Sequence, residues 1–255
     1  MHGAVIVGSG VLGLLVGSLL NVIIDRVPHK VPLRGERDGE ASAPVSWFGL
    51  PAQPWVLRRG RHAGEALPSR WLWVEIVTVA VFAELAVRYG DSARLIPLLV
   101  LGASLVAVSA IDLELLRIPD RITFPTLALA VPLIAVVSVQ QDIPDSIRAA
   151  LLGSAAYSLL LFTTHMIYPA GMGFGDVKLA LVMGLYLGWL GWTPMFPVAG
   201  PLRLVLYALM LGCILGVVFG LAVQVISKRK GAFPFGPALA AGCLIVVMFA
   251  TDLRS

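Results

Sequence analysis

The chain has 255 residues, of which 58% are hydrophobic and 13% charged, with a net charge of +4. A soluble domain carries about 25% charged residues, so this composition, with a mean hydropathy of +0.89, excludes an ordinary soluble domain and predicts an all-α polytopic membrane protein. The two cysteines, Cys213 and Cys243, fall inside apolar runs and form no CxxC pair, which excludes a disulfide framework or a cysteine zinc site built from this chain alone.

Taken in order, the apolar runs predict about eight spans, near residues 4–24, 71–87, 95–112, 122–139, 147–167, 177–192, 203–226 and 236–251. The first run follows Met1-His2-Gly3, which has no basic leader region, and it is too long for a secretion signal, so it reads as a retained span. The organisation is then a first span over 1–24, a cytoplasmic loop or small subdomain over 25–70, and a helical membrane domain over 71–255. The segment 25–70 is rich in Pro, Gly and charge and lacks an apolar period.

Basic residues orient the bundle. With the N-terminus outside, the inner segments hold fourteen of the nineteen, from Arg26, Lys30 and Arg34 through Arg117, Arg121 and Lys178 to Lys228, Arg229 and Lys230. Arg88, Arg94, Arg148, Arg203 and Arg254 stay outside. This asymmetry predicts both termini outside and explains the basic pI as lipid-facing topology, with no nucleic-acid partner.

Two carboxylates stand out. Asp112 closes the third span and Asp176 opens the sixth, so the chain crosses twice between them and returns to the same, cytoplasmic, side. An Asp in a spanning helix costs roughly 2.5–3.5 kcal/mol at the bilayer centre on insertion scales, so apolar helices seldom carry one without a use. After Asp112, Pro119 stops a helix from continuing. Before Asp176, Gly173 and Gly175 permit backbone conformations closed to other residues and let another chain approach. Two carboxylates held close share a proton: one acts as general base on water while the other polarises a peptide carbonyl, and the roles then exchange. Asp120 reads as a helix cap or surface charge. Lys178 reads equally as a residue tuning the pair and as a lysine snorkelling to the interface. Glu75, at the inner end of the second span, is placed to meet substrate or cofactor, and Glu84 reads as an outer-interface charge. Asn21 needs a partner on another helix. His165 reads as a packed polar residue.

With these residues in view, the chain resembles the type IV prepilin leader peptidases of the GxGD aspartyl class. The resemblance rests on Gly17 through Pro28, Arg70-Trp71-Leu72-Trp73-Val74-Glu75, Asp112 through Pro119-Asp120, Gly173-Phe174-Gly175-Asp176-Val177-Lys178 and Phe233-Pro234-Phe235-Gly236-Pro237, in family order. It implies an endopeptidase of the bacterial inner (cytoplasmic) membrane that removes the basic leader of prepilins or pseudopilins at the cytoplasmic face. Asp112 and Asp176 would be catalytic, with Gly173, Gly175, Lys178, Pro119 and Glu75 shaping the site. The peptidase step would need no cofactor. Many members also carry two CxxC pairs thought to hold zinc, and N-methylate the new N-terminus with S-adenosylmethionine. Here the loop has no cysteine, and His29 with His62 cannot complete a tetrahedral site. Zinc is therefore not expected, and methylation, with S-adenosylmethionine as its cofactor, stays open. Two rival readings are a small transporter using interfacial acids and an inactive assembly scaffold.

Overall fold

Apolar runs bounded by proline, glycine and charge fold as helices throughout this computed structural model, which describes residues 2–28, 69–169, 172–227 and 234–253. Most of the expected loop 25–70 lies outside the described residues, with His29 and His62, and so do Phe233, Lys228 to Lys230 and Arg254. No strand occurs among the described residues. The chain forms two compact units, Met1–Leu95 and Ile96–Ser255.

The first unit contains α1 (His2–Arg26) and α2 (Ser69–Tyr89). Lipid supplies no hydrophobic force between helices, so they associate where small residues let backbones close up. Gly13 and Gly17, one helical turn apart, do this. A Cβ at Gly13 would stand 3.0 Å from the Val79 Cα, and one at Gly17 would stand 2.9 Å from the Glu75 Cα. Beyond Gly17, Asn21 Nδ2 donates to the Trp71 carbonyl at 3.0 Å, the helix-to-helix bond its depth requires. Arg70 then pairs with Asp25. The two sequence signatures at residues 17–28 and 70–75 thus meet each other. Glu84 pairs with Arg88 on the same helix at 3.3 Å.

The second unit contains α3 (Leu95–Leu115), α4 (Asp120–Gln140), α5 (Asp145–Ile167), α6 (Phe174–Gly191), α7 (Ala199–Ser227), α8 (Gly236–Met248) and the single turn α9 (Ala250–Leu253). At its centre lies α6, buried along most of its length and packed by α4, α5, α7 and α8. Its closest partner is α5. A Cβ at Gly153 would stand 2.4 Å from the Gly184 carbonyl oxygen, and one at Gly188 would stand 2.2 Å from that of Ala149. Ser154 and Ser158 donate to the Leu181 and Val177 carbonyls of α6 at 2.8 and 3.2 Å. Farther along, Ser138 Oγ of α4 accepts the indole N–H of Trp189 on α6 at 2.9 Å and lies 2.9 Å from the Ser146 hydroxyl of α5. Helices α7 and α8 close at Gly212 and Gly242, where a Cβ on Gly242 would stand 2.5 Å from the Gly212 nitrogen.

Among the described residues six helices are long and apolar enough to cross a membrane: α1, α3, α4, α5, α6 and α7. Of the two other expected spans, α2 is long enough but carries Arg70, Glu75, Glu84 and Arg88, and α8 is apolar but has 13 residues.

Candidate active site

The α3 helix ends sooner than Pro119 alone would require. Leu116 takes a left-handed conformation, φ 53°, and donates its N–H to the Asp112 carbonyl at 2.9 Å. The chain then runs through Arg117 and Ile118 to Pro119, whose extended backbone (φ −76°, ψ 128°) starts α4. This short reversal leaves Asp112 in the last turn of α3, buried. Its Oδ2 accepts the backbone N–H of Gly236, 3.0 Å away, at the first residue of α8. A helix N-terminus carries partial positive charge from its unpaired N–H groups and favours a carboxylate there. A Cβ at Gly236 would stand 2.8 Å from that same Oδ2, so glycine is what lets the carboxylate reach the amide.

Asp176 occupies the first turn of α6, where its N–H bonds the Gly173 carbonyl at 3.1 Å. Its side chain is buried. Oδ2 lies 3.5 Å from where a Cβ on Gly173 would stand, and Oδ1 has no hydrogen-bond partner among the described residues. A buried acceptor without a partner is uncommon and calls for an explanation.

Ile118 joins the two sides. Its Cβ lies 2.9 Å from the position a Cβ would take on Gly175, and its Cδ1 lies 3.3 Å from the one on Gly236. One side chain thus touches the residue before Asp176 and the residue that binds Asp112. Asp112 and Asp176 are thus linked through a single side chain. Both belong to the second unit and to one end of it, where α3 finishes and α6 and α8 begin.

The two glycines of the Gly-Phe-Gly-Asp turn differ in what they need. Gly173 has φ −69° and ψ 141°, open to any residue, and no positive φ occurs at Gly175. Conformational freedom therefore does not explain them. Space explains Gly175, and the chain that approaches it is this protein's own Ile118. Accordingly Gly175→Ala is expected to destabilise by about 1–3 kcal/mol through overpacking, a fall of several degrees in melting temperature in detergent. Gly173→Ala is expected to stay within about 1 kcal/mol of wild type. Equal melting temperatures for the two variants would contradict this packing.

The remaining predicted residues fall in different places. Lys178 Nζ binds both carboxylate oxygens of Asp120, at 2.7 and 2.8 Å, so Asp120 is an ion-pair partner as well as an exposed first-turn residue. His165, at the end of α5, places Nδ1 2.8 Å from the Met172 carbonyl oxygen and its ring 5.6 Å from that of Phe174. Glu75 is buried in the first unit, on the face of α2 that receives Gly17. Gly236 and Ile118 lie inside the quoted motifs but were given no role from sequence, and Asp120 was read only as a cap or surface charge. For Gly236 a signal existed in Gly-Pro opening an apolar run, since Pro at the start of a helix removes one donor and leaves its neighbour's.

Among the described residues no group of three His, Cys, Asp or Glu side chains is arranged to hold a metal ion. Family models match two parts of the chain: residues 99–221 match the type IV leader peptidase family, and residues 11–89 match the bacterial peptidase A24 N-terminal domain. A prepilin leader peptidase/N-methyltransferase of Pseudomonas putida is 30% identical, over 95% of this chain and 90% of its own. The chain belongs to the type IV leader peptidase family. Proteins of the same name from Xanthomonas campestris pv. campestris and Bacillus subtilis are 28% and 26% identical, covering 95% and 96% of this chain and 90% and 94% of theirs. No solved structure matches the chain significantly. Within this leader peptidase family member, the segment matched to the family model holds both Asp112 and Asp176, and Gly236 lies beyond it.

Proposed function

We propose that this leader peptidase family member is an aspartyl endopeptidase of the bacterial inner membrane that removes the leader from prepilins or pseudopilins, using Asp112 and Asp176. The observation that carries the reading is the pair itself: two buried carboxyl groups at one end of one unit, tied together through Gly236, Ile118 and Gly175, with Asp176 Oδ1 free of any hydrogen bond among the described residues. A helix-capping role accounts for Asp112 at α8, and it leaves Asp176 Oδ1 without a purpose. The names of the relatives support the substrate class.

The chemistry needs one carboxyl group protonated and one ionised. The ionised group takes a proton from water as the water oxygen bonds to the peptide carbonyl carbon, and the protonated group donates to the carbonyl oxygen. As the C–N bond breaks, the proton taken from water goes to the leaving amine, and the proton on the former carbonyl oxygen returns to the carboxylate that gave it as the C=O bond re-forms. The free acid and the new N-terminus depart, and the pair is back in its starting state. Buried carboxylates with few fixed partners suit this exchange, because neither oxygen pair is held by a cation among the described residues. No cofactor enters these steps. The relatives' name includes N-methyltransferase, and methyl transfer would draw on S-adenosylmethionine. The loop of residues 29–68, where the sequence departs from the cysteine pattern, lies outside the described residues, and no side chain is assigned to that group. The distribution of Lys and Arg supports a site at the cytoplasmic face with both chain ends outside.

The test is co-expression with a candidate prepilin, following leader removal for wild type, Asp112→Asn and Asp176→Asn at matched membrane levels. Cleavage by wild type alone is expected. Cleavage by either variant at the wild-type rate would make that Asp structural and overturn the mechanism. Mass spectrometry of the mature N-terminus reads in the same sample whether a methyl group has been added.

A further inference from the structure

The turn that carries Asp176 is held from two sides by residues that the chemistry above does not use. On one side, His165 meets the Met172 carbonyl and the Phe174 ring. On the other, Lys178 Nζ binds both oxygens of Asp120 on α4 and lies 5.4 Å from the Phe174 centroid and 5.7 Å from the Phe124 centroid. A lysine placed over aromatic faces and on a carboxylate at once is more tightly located than one that only reaches toward water. Asp120 follows Ile118 and Pro119, the segment that leads away from Asp112, and Ile118 is packed on Gly175. One linkage therefore runs from the Asp112 end of α3, through residues 118–120, across the ion pair, to the first turn of α6.

We propose that Asp120 and Lys178 form a positioning clasp that sets the Gly173–Asp176 turn at its working distance from Asp112. The inference rests on the leader peptidase reading, adds Asp120 to it and gives Lys178 a defined positioning role. The Asp120 side chain is 52% exposed and that of Lys178 is 25% exposed. Pairs this open to solvent add little to overall stability, so the clasp acts on local geometry. A reacting group displaced by about 1 Å costs on the order of 100-fold in rate, and the clasp is one of the two side-chain holds on this turn.

The experiment compares wild type with Asp120→Asn, Lys178→Gln, Lys178→Arg and the exchange Asp120→Lys with Lys178→Asp, purified in detergent and given a prepilin peptide. For Asp120→Asn and Lys178→Gln we expect kcat to fall about 10- to 100-fold, with KM and melting temperature unchanged. Lys178→Arg keeps most of the activity, and the exchange recovers at least tenfold of the loss. Hydrogen–deuterium exchange over residues 172–178, read without any turnover, should speed up in the two single variants and return toward wild type in the exchange. Full kcat in the singles overturns the clasp, and so does a loss confined to KM, failure of the exchange to recover either readout, or unchanged hydrogen exchange. A wild type that does not cleave would overturn the leader peptidase reading instead, and the hydrogen-exchange comparison would still decide the clasp.

Discussion

Asp112→Asn and Asp176→Asn are each expected to lower single-turnover cleavage by at least ~10³-fold, and the double variant no further than the worse single, because groups that act as a unit are strongly non-additive. The amide keeps the size of the carboxyl group. At position 112 its oxygen still accepts from the Gly236 N–H, so the reversal after α3 and the start of α8 should persist. At position 176 the amide enters a place where Oδ1 already has no partner among the described residues, so little hydrogen bonding is lost. What disappears is the capacity to hand a proton between water, carbonyl oxygen and leaving amine. Cleavage of a synthetic prepilin peptide by purified protein, with the fold checked by melting temperature, measures this directly. If the double variant were slower by the product of the two single effects, the carboxylates would act independently and the shared-proton scheme would fall.

Gly184→Leu, and equally Gly153→Leu, should remove folded protein from the membrane. The reason is geometric. A Cβ on Gly184 would stand 2.4 Å from the Gly153 carbonyl oxygen and 2.8 Å from the Ser154 Cα. Those are backbone atoms of a helix, which cannot rotate away as a side chain can. Relief requires α5 and α6 to separate, which breaks the hydrogen bonds from Ser154 and Ser158 and opens the most closely packed contact in the second unit. Overpacking of an ordinary core costs about 1–3 kcal/mol, and a clash against backbone along a helix pair is expected to exceed that, enough to cancel much of a total stability of about 5–15 kcal/mol. Accumulation in membranes and thermal unfolding in detergent give the readout. Wild-type melting of Gly184→Leu would mean that the two helices do not approach as described. Because α6 carries Asp176 at one end and Gly184 and Gly188 farther along, cleavage should be lost with the fold.

Helix positions were legible because each apolar run has its own local punctuation. Pro119 precedes α4 and Asp120 opens it, Pro144 precedes α5 and Asp145 opens it, and Gly-Pro opens α8. The return of Asp112 and Asp176 to one end followed from counting crossings. Partnerships between distant residues were not legible. Nothing local distinguishes an Asp120 that caps a helix from one that binds Lys178, 58 residues away. The bond from Gly236 to Asp112 joins residues 124 apart and depends on how α8 docks, which no periodicity encodes. Asn21 was the easier case, since an amide inside an apolar helix must find a partner and α2 supplied the Trp71 carbonyl. The glycines beside Asp176 suggested unusual backbone angles and room for another chain to approach; only the second holds at Gly175, and that its occupant is Ile118 of the same chain is visible only once the reversal after α3 has a shape.

Helix length has a bearing on water. At 1.5 Å per residue the 18 residues of α6 extend about 27 Å and the 29 residues of α7 about 44 Å, against a hydrocarbon layer of about 30 Å. Neighbours so unequal cannot both match one bilayer: α7 must lean or project, while α6, buried along most of its length, meets other helices rather than lipid. At about 27 Å, α6 falls short of the hydrocarbon layer, so at least one of its ends stops inside the protein rather than at a headgroup. The hydrolysis proposed above would consume a water molecule, and a short central helix shortens the path by which water would reach a carboxylate at its end.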